Sequence, residues 1–242
     1  TKVTSRSYFT GPKRRKRLPS RRKLLFEPLE PRLLLSTTGL AHFLDPAFHP
    51  VTFYQATDPI VSVEVVDPDL NATPGTVDTA TVTLTGPTET AGGVTEPLTL
   101  TETGPDTGLF RGTLPLEVGG AAGADGRLAA AVGDPLTLTY LDATDDWGNP
   151  VTTTETAILV GTVVHGGPLA EDTTWAQAGG PYLLTGDVTV SGGTTLTVEP
   201  GVQVLFLAFQ DDSPSGYYSN RSELVIWSGG TLTAVGTPDA PI

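Results

Sequence analysis

Two acidic clusters hold most of the residues able to do chemistry. The first is Asp67, Asp69, Asn71 and Asp78 in VDPDLNATPGTVD, and the second is Asp142, Asp145, Asp146 and Asn149 in YLDATDDWGN. Carboxylates, amides and loop carbonyls are the oxygen donors that Ca²⁺ takes. In an extended backbone Asp67 and Asp69 point to the same side. The spacing is not that of an EF-hand loop, whose acids fall at fixed places around a Gly. Asp beside Pro or Gly is equally a turn residue that binds its own backbone. Both readings, a Ca²⁺ cofactor and turn chemistry, fit these residues. A third set, Glu102, Asp106 and Arg111 in TETGPDTGLFRGTL, offers two acids and a cation. There GPDTG reads first as a hairpin turn, with Phe110 and Leu114 as core.

Further along, Asp211 and Asp212 lie in the aromatic loop QDDSPSGYYSNRS and Glu223 follows it. Glycoside hydrolysis needs two carboxyl groups converging across about 5 to 9 Å. Adjacent acids in a strand point to opposite faces, so Asp211 and Glu223 converge only if the loop folds back. Tyr217, Tyr218 and Trp227 have faces suited to stacking on sugar rings, or to capping an apolar column. No catalytic residue is assigned. His42 and His49 have no ligand-spaced partner, and His165 in VVHGG has no nucleophile at a sensible spacing. The chain has no Cys, which excludes disulfides, thiolate nucleophiles and thiolate metal ligands.

These residues must be held by strands. IVSVEVV from Ile60, TATVTLT from Thr79, PLTLTET, LFRGTLPLEV and DPLTLTYLD alternate polar residues, mostly Thr, with apolar ones, and Gly, Pro and Asp interrupt them at short intervals. That period of two, with turn residues between, predicts an antiparallel β-sandwich over 50–160. No convincing helical period is present. From 161 the strands shorten to three to five residues with Gly or Pro at the corners. SGGTTLT at Ser191 is echoed by SGGTLT at Ser228. A near-repeat of short strands is the signature of stacked rungs, with the 210–222 loop as an insertion that stretches the gap.

Charge divides the chain differently. Eleven of the fourteen Lys and Arg lie between Lys2 and Arg32, opposed by Glu27 and Glu30, which leaves about +9. The remainder carries Arg111, Arg127 and Arg221 against 25 acids. So acidic a body repels nucleic acid, and none is expected as a partner. The apolar residues of the leader are split by EPLEPR, so it has neither a signal peptide's continuous apolar run nor the roughly 20 apolar residues of a membrane span. The first residue is Thr and the last stretch, GTPDAPI, reads as mid-pattern, so a piece of a longer protein is expected.

Three resemblances follow from these residues. FEPLEPRLLLS, with Phe26, Leu29, Glu30, Pro31, Arg32, Leu34 and Leu35 in place behind a basic run, resembles the Leu-Glu-Pro-Arg-x-Leu-Leu motif of large, mostly planctomycete, surface or exported proteins. That resemblance implies export or envelope-sorting machinery as a partner and a cell-surface or extracellular location. Asp67, Asp69 and Asn71, then LTETGPDTGLFRG over 100–112, then Gly133, Asp134, Tyr140 and Asp142, resemble an Ig-like repeat of large bacterial surface proteins. LTVEPGVQVLF from Leu196 and GGTLTAVGTPDAPI from Gly229 are similar to the opening turns of a right-handed parallel β-helix of the pectin-lyase type.

The expected protein is all-β. A disordered basic leader and linker occupies 1–49, an Ig-like antiparallel β-sandwich 50–160, and the first rungs of a right-handed parallel β-helix 161–242. The expected function is a non-enzymatic structural or adhesive segment of a modular surface protein, with surface polysaccharide or neighbouring surface proteins as partners. The alternative is the N-terminal part of a β-helical polysaccharide lyase or glycoside hydrolase whose site lies past residue 242.

Overall fold

A computed structural model describes residues 37–73 and 75–242. The first nine strands are β1 (Leu40–Leu44), β2 (Phe53–Gln55), β3 (Ile60–Val66), β4 (Thr79–Thr85), β5 (Glu96–Glu102), β6 (Leu109–Val118), β7 (Leu128–Ala130), β8 (Pro135–Asp142) and β9 (Val151–Val160). They form one mixed sheet in the order β1-β3-β6-β5-β4-β8-β9-β2, with β7 added on β6. Most neighbours are antiparallel, while β2 on β9 and β7 on β6 are parallel. The sheet is curled and partly open. It turns far enough that His42 on β1 reaches Glu155 on β9 at 2.9 Å.

The period of two explains the faces. Val61, Val63 and Val65 of β3 are buried, as are Ala80, Val82 and Leu84 of β4 and Leu136, Leu138 and Tyr140 of β8. With Phe43, Leu100, Phe110 and Leu159 they make one core. The intervening Thr residues face out or are half-buried, as alternation across a strand requires. Cutting Phe110 to Ala would cost about 3–5 kcal/mol through lost burial and the cavity left behind.

Besides the parallel pairs in a sheet expected to be antiparallel, two elements differ from the sequence reading. Residues 40–44, expected in the linker, form β1 and pair with β3; Ala41, Phe43 and Leu44 are buried, so apolar burial places this stretch in the sheet. Pro87–Gly92 forms one short helix, α1. It starts on Pro, whose fixed φ suits a first turn, and it stops at Gly93 with φ 72°. At six residues it is too short to show a helical period. Its buried Glu89 accepts N–H bonds from Gly123 and Ala129.

Nine short strands follow: β10 (Thr162–Val164), β11 (Gly167–Pro168), β12 (Thr173–Trp175), β13 (Tyr182–Leu184), β14 (Val188–Val190), β15 (Thr195–Val198), β16 (Val204–Phe206), β17 (Leu224–Ile226) and β18 (Thr231–Ala234). They form three parallel sheets, β10-β13-β16, β11-β14-β17 and β12-β15-β18. Each sheet takes every third strand. Trp175, Tyr182, Leu184, Val188, Val190, Leu196, Val198 and Val202 fill the interior, with Trp175 and Tyr182 stacked at 5.2 Å. The SGGT echo is a stacked pair: Thr195 lies beside Thr231 and Leu196 beside Leu232. Gly230 permits this approach. A Cβ there would lie 2.2 Å from the Val190 carbonyl oxygen.

Among the described residues no helix is long and apolar enough to cross a membrane.

Candidate functional site

The leader motif, Phe26 to Leu35, lies outside the described residues. The acidic clusters lie within them, and the fold gathers part of each. Asp69 accepts the Thr37 N–H at 3.1 Å, Asp146 the Thr38 N–H at 3.3 Å, and Asp142 the Gly39 N–H at 2.7 Å. Three carboxylates from two distant loops thus tie down the strap that leads into β1. Asp67 lies beside it, 1% exposed, and takes the Tyr140 hydroxyl at 2.5 Å. Burial pushes the Asp67 carboxyl above the ordinary range, against the pull of the Tyr140 and Asp69 hydrogen bonds. Burial, and then the same bond to Asp67, holds the Tyr140 hydroxyl far above its usual range.

Asp78 and Asp145 stay apart from this strap. Asp78 accepts from Thr73, and Asp145 from Trp147 and Asn149 in its own turn. Asn71 closes the short turn after Asp67, with its N–H on the Pro68 carbonyl. Each strap acid therefore carries a backbone or hydroxyl donor on at least one carboxylate oxygen. Among the described residues no three His, Cys, Asp or Glu side chains are arranged to hold a metal ion.

Glu102 and Arg111 also serve structure. Glu102 accepts N–H bonds from Thr107, Gly108 and Asp78. The Asp78 N–H first, with the other two, holds its carboxyl below the ordinary range. Arg111 pairs with Glu64 across β6 and β3 at 2.8 Å and lies over the Phe48 ring. Asp106 accepts from Gly75.

The second gathering place is the 207–223 loop between β16 and β17. Sequence reasoning missed its anchor, Asp187, which is fully buried ahead of β14. The only signal was an Asp opening an apolar strand in TGDVTV. Asp187 accepts N–H bonds from Ser215 at 2.6 Å, Gly216 at 2.5 Å and Glu223 at 2.7 Å. Glu223 accepts those of Tyr217 at 2.6 Å and Tyr218 at 2.8 Å. The two carboxylates flank Gly216, where a Cβ would lie 2.3 Å from Glu223 Oε2 and 3.0 Å from Asp187 Oδ2. The loop backbone fills the space between them, so a glycosidic bond has no room there.

Asp211 and Asp212 have other partners. Asp211 accepts from Ser213. Asp212 accepts the Thr185 hydroxyl at 2.6 Å, the Gln210 amide at 3.0 Å and lies 3.3 Å from His165 Nδ1. The bonds from Gln210 and Thr185 lower its carboxyl from the ordinary value.

The aromatic residues divide. Tyr217 and Tyr218 meet edge to face at 4.9 Å. Trp227 lies past the far end of β17 and makes no ring contact with them. The three are 86%, 48% and 54% exposed.

A cavity of about 630 Å³ is lined mainly by Leu44, Pro46, Val51, Phe53, Tyr54 and Ile60. At its wall the Tyr54 hydroxyl donates to the Leu44 carbonyl, and Asp58 accepts the Gln55 N–H. No protein-family model matches the chain, and the comparison with curated proteins gives no match.

Proposed function

We propose that the chain is a non-enzymatic structural or adhesive segment of a large modular cell-surface protein. In this reading the curled sheet is an Ig-like module. The three parallel sheets are the first rungs of a right-handed parallel β-helix, with the 207–223 loop inserted in one rung. The basic leader and its Leu-Glu-Pro-Arg motif address the chain to the envelope.

The observation that supports it most is the use made of the acids. Asp67, Asp69, Asp142, Asp146, Asp187, Glu102 and Glu223 all accept backbone N–H or hydroxyl groups that fix loops onto strands. Carboxylates engaged in this way build a scaffold; a general acid or base needs a free path to substrate. The net negative charge of the body keeps stacked modules soluble and apart.

The test is surface exposure. The tagged gene product, in its native cell, is treated with external protease before and after lysis. Trimming of the β body on unbroken cells is expected. Protection until lysis would remove the surface reading.

A further inference from the structure

We infer that the 207–223 loop presents a carbohydrate site, with Tyr217, Tyr218 and Arg221 beside a groove lined by Phe206 and Phe209, and that its ligand is a neutral pyranose glycan. This rests on the reading of the chain as a non-catalytic surface segment and adds its ligand class.

Four aromatic rings, three on this loop and Phe206 at the end of β16, face solvent at once. Tyr217 is 86% exposed, Phe209 84%, Phe206 50% and Tyr218 48%. Such exposure is unfavourable for apolar surface, and here it is enforced. Five backbone N–H groups, those of Ser215, Gly216, Tyr217, Tyr218 and Glu223, are held by the Asp187 and Glu223 carboxylates. Phe209 also holds φ at 61°, the left-handed region that a bulky residue seldom adopts. Strain of this kind persists where the surrounding structure imposes it, and it clusters at ligand sites. The rings are thus preorganised, which lowers the ordering cost of binding.

The geometry suits a sugar. The two Tyr rings stand at 84° to each other and form a right-angled shelf. The Arg221 guanidinium lies 5.1 Å from the Tyr218 ring centroid and lines the adjoining groove, about 300 Å³, with Phe206 and Phe209. Among the described residues Arg221 forms no ion pair. Its planar fork of donors remains for hydroxyl oxygens. A pyranose has an apolar C–H face for a ring and equatorial hydroxyls for Arg221 and the exposed Ser219 and Asn220.

Other partners fit less well. A stable protein interface buries at least about 1,000 Å² around a continuous apolar centre, whereas here the apolar run from Phe206 to Phe209 is separated in the chain from the Tyr217–Tyr218 pair by the polar stretch 210–216. A polyanion meets a body with three Arg against 25 acids. An anionic lipid surface meets the same repulsion and finds no basic face.

The test is affinity electrophoresis of the 242-residue chain in gels containing hydroxyethyl cellulose, a soluble β-1,3-glucan, a galactomannan or, separately, a polyuronate. Reducing ends are measured on the same polymers. Retardation by at least one neutral polymer is expected. It should weaken roughly tenfold or more in Y217A/Y218A, since truncating central aromatic anchors has that effect. It should weaken less in R221A and stay unchanged in W227A. Circular dichroism melts within a degree or two of wild type show that the exposed substitutions leave the fold intact. Absence of retardation in every neutral polymer overturns the proposal, as does retardation that survives Y217A/Y218A or occurs with polyuronate alone. Release of reducing ends would instead overturn the non-enzymatic reading while leaving binding in place. Lack of binding would leave the surface assignment to the protease experiment.

Discussion

Removing the Asp187 carboxylate should release the aromatic loop and weaken the parallel sheets beneath it. Asp187→Ala deletes three charge-assisted N–H bonds at once. Each is worth about 1.5–3 kcal/mol when the acceptor is charged. Ser215 is exposed, so water replaces most of what its N–H loses, whereas half-buried Gly216 recovers less. The Glu223 N–H, at the base of β17, likewise recovers less. The substitution also removes a buried charge and its desolvation penalty. The net loss is therefore about 3 kcal/mol, below the sum of the bonds. At 2–4 °C per kcal/mol for a chain of this size, the midpoint should fall by about 6–12 °C.

The local effect has its own readout. Arg221 is the one Lys or Arg between 161 and 242, so trypsin reports on this loop alone in that part of the chain. Cleavage after Arg221 under native conditions should rise at least about tenfold in the variant, because loop opening no longer breaks the Asp187 bonds. Asp187→Asn should fall between the two proteins: it keeps one acceptor oxygen but turns an amide N–H₂ toward N–H donors. A midpoint within 2 °C of wild type in Asp187→Ala, with unchanged cleavage after Arg221, would refute the view that this carboxylate holds the loop.

Four other outcomes are expected. Tyr140→Phe leaves the buried Asp67 carboxylate without its hydroxyl donor and should lower stability by about 1.5–3 kcal/mol at pH 7. Because Asp67 has a raised carboxyl, its ionisation in the folded state opposes stability as pH rises through that raised value. The deficit of Tyr140→Phe should therefore shrink as pH falls and Asp67 protonates; urea melts at pH 7 and pH 4 check this, and an equal deficit at both would count against it. Glu102 is the opposite case: its folded carboxyl lies below the ordinary value, so its contribution is present above the unfolded value and lost as pH falls through the folded one. Glu102→Gln should lower the midpoint at neutral pH and flatten the acid limb of the stability curve, and an unchanged limb would contradict the assignment. Gly230→Ala drives a Cβ into the Val190 backbone; a midpoint loss of several degrees is expected in a thermal melt, against little change for Gly123→Ala, whose nearest neighbour is 3.8 Å away. Ca²⁺ at 5 mM should move the midpoint by less than about 1 °C, because the strap carboxylates already hold N–H donors; a rise of several degrees that Asp69→Asn abolishes would show that the strap yields them to a cation.

The all-β class was legible because alternation is a local property. Thr and Val at every second position put one face inward whatever the strand order, and β3, β4 and β8 follow that rule residue by residue. The stacked echo at Ser191 and Ser228 was legible for a related reason: strands that lie in register repeat their small and apolar residues. β1 and α1 were missed because a five-residue strand and a six-residue helix are too short to display a period.

The sequence by itself also determined the residue types available: no thiol, few cations, many acids and an aromatic loop. Only the tertiary structure decided what the acids do. Asp69, Asp142 and Asp146 meet on one strap because the curled sheet brings the loops after β3 and β8 together. Asp187 lies far along the chain from Gly216, and the stacking of β14 on β17 sets the carboxylate under the loop. A carboxylate's partners are fixed by through-space distances of about 3 Å, and chain spacing carries no record of them once the strands have crossed from one sheet to the next.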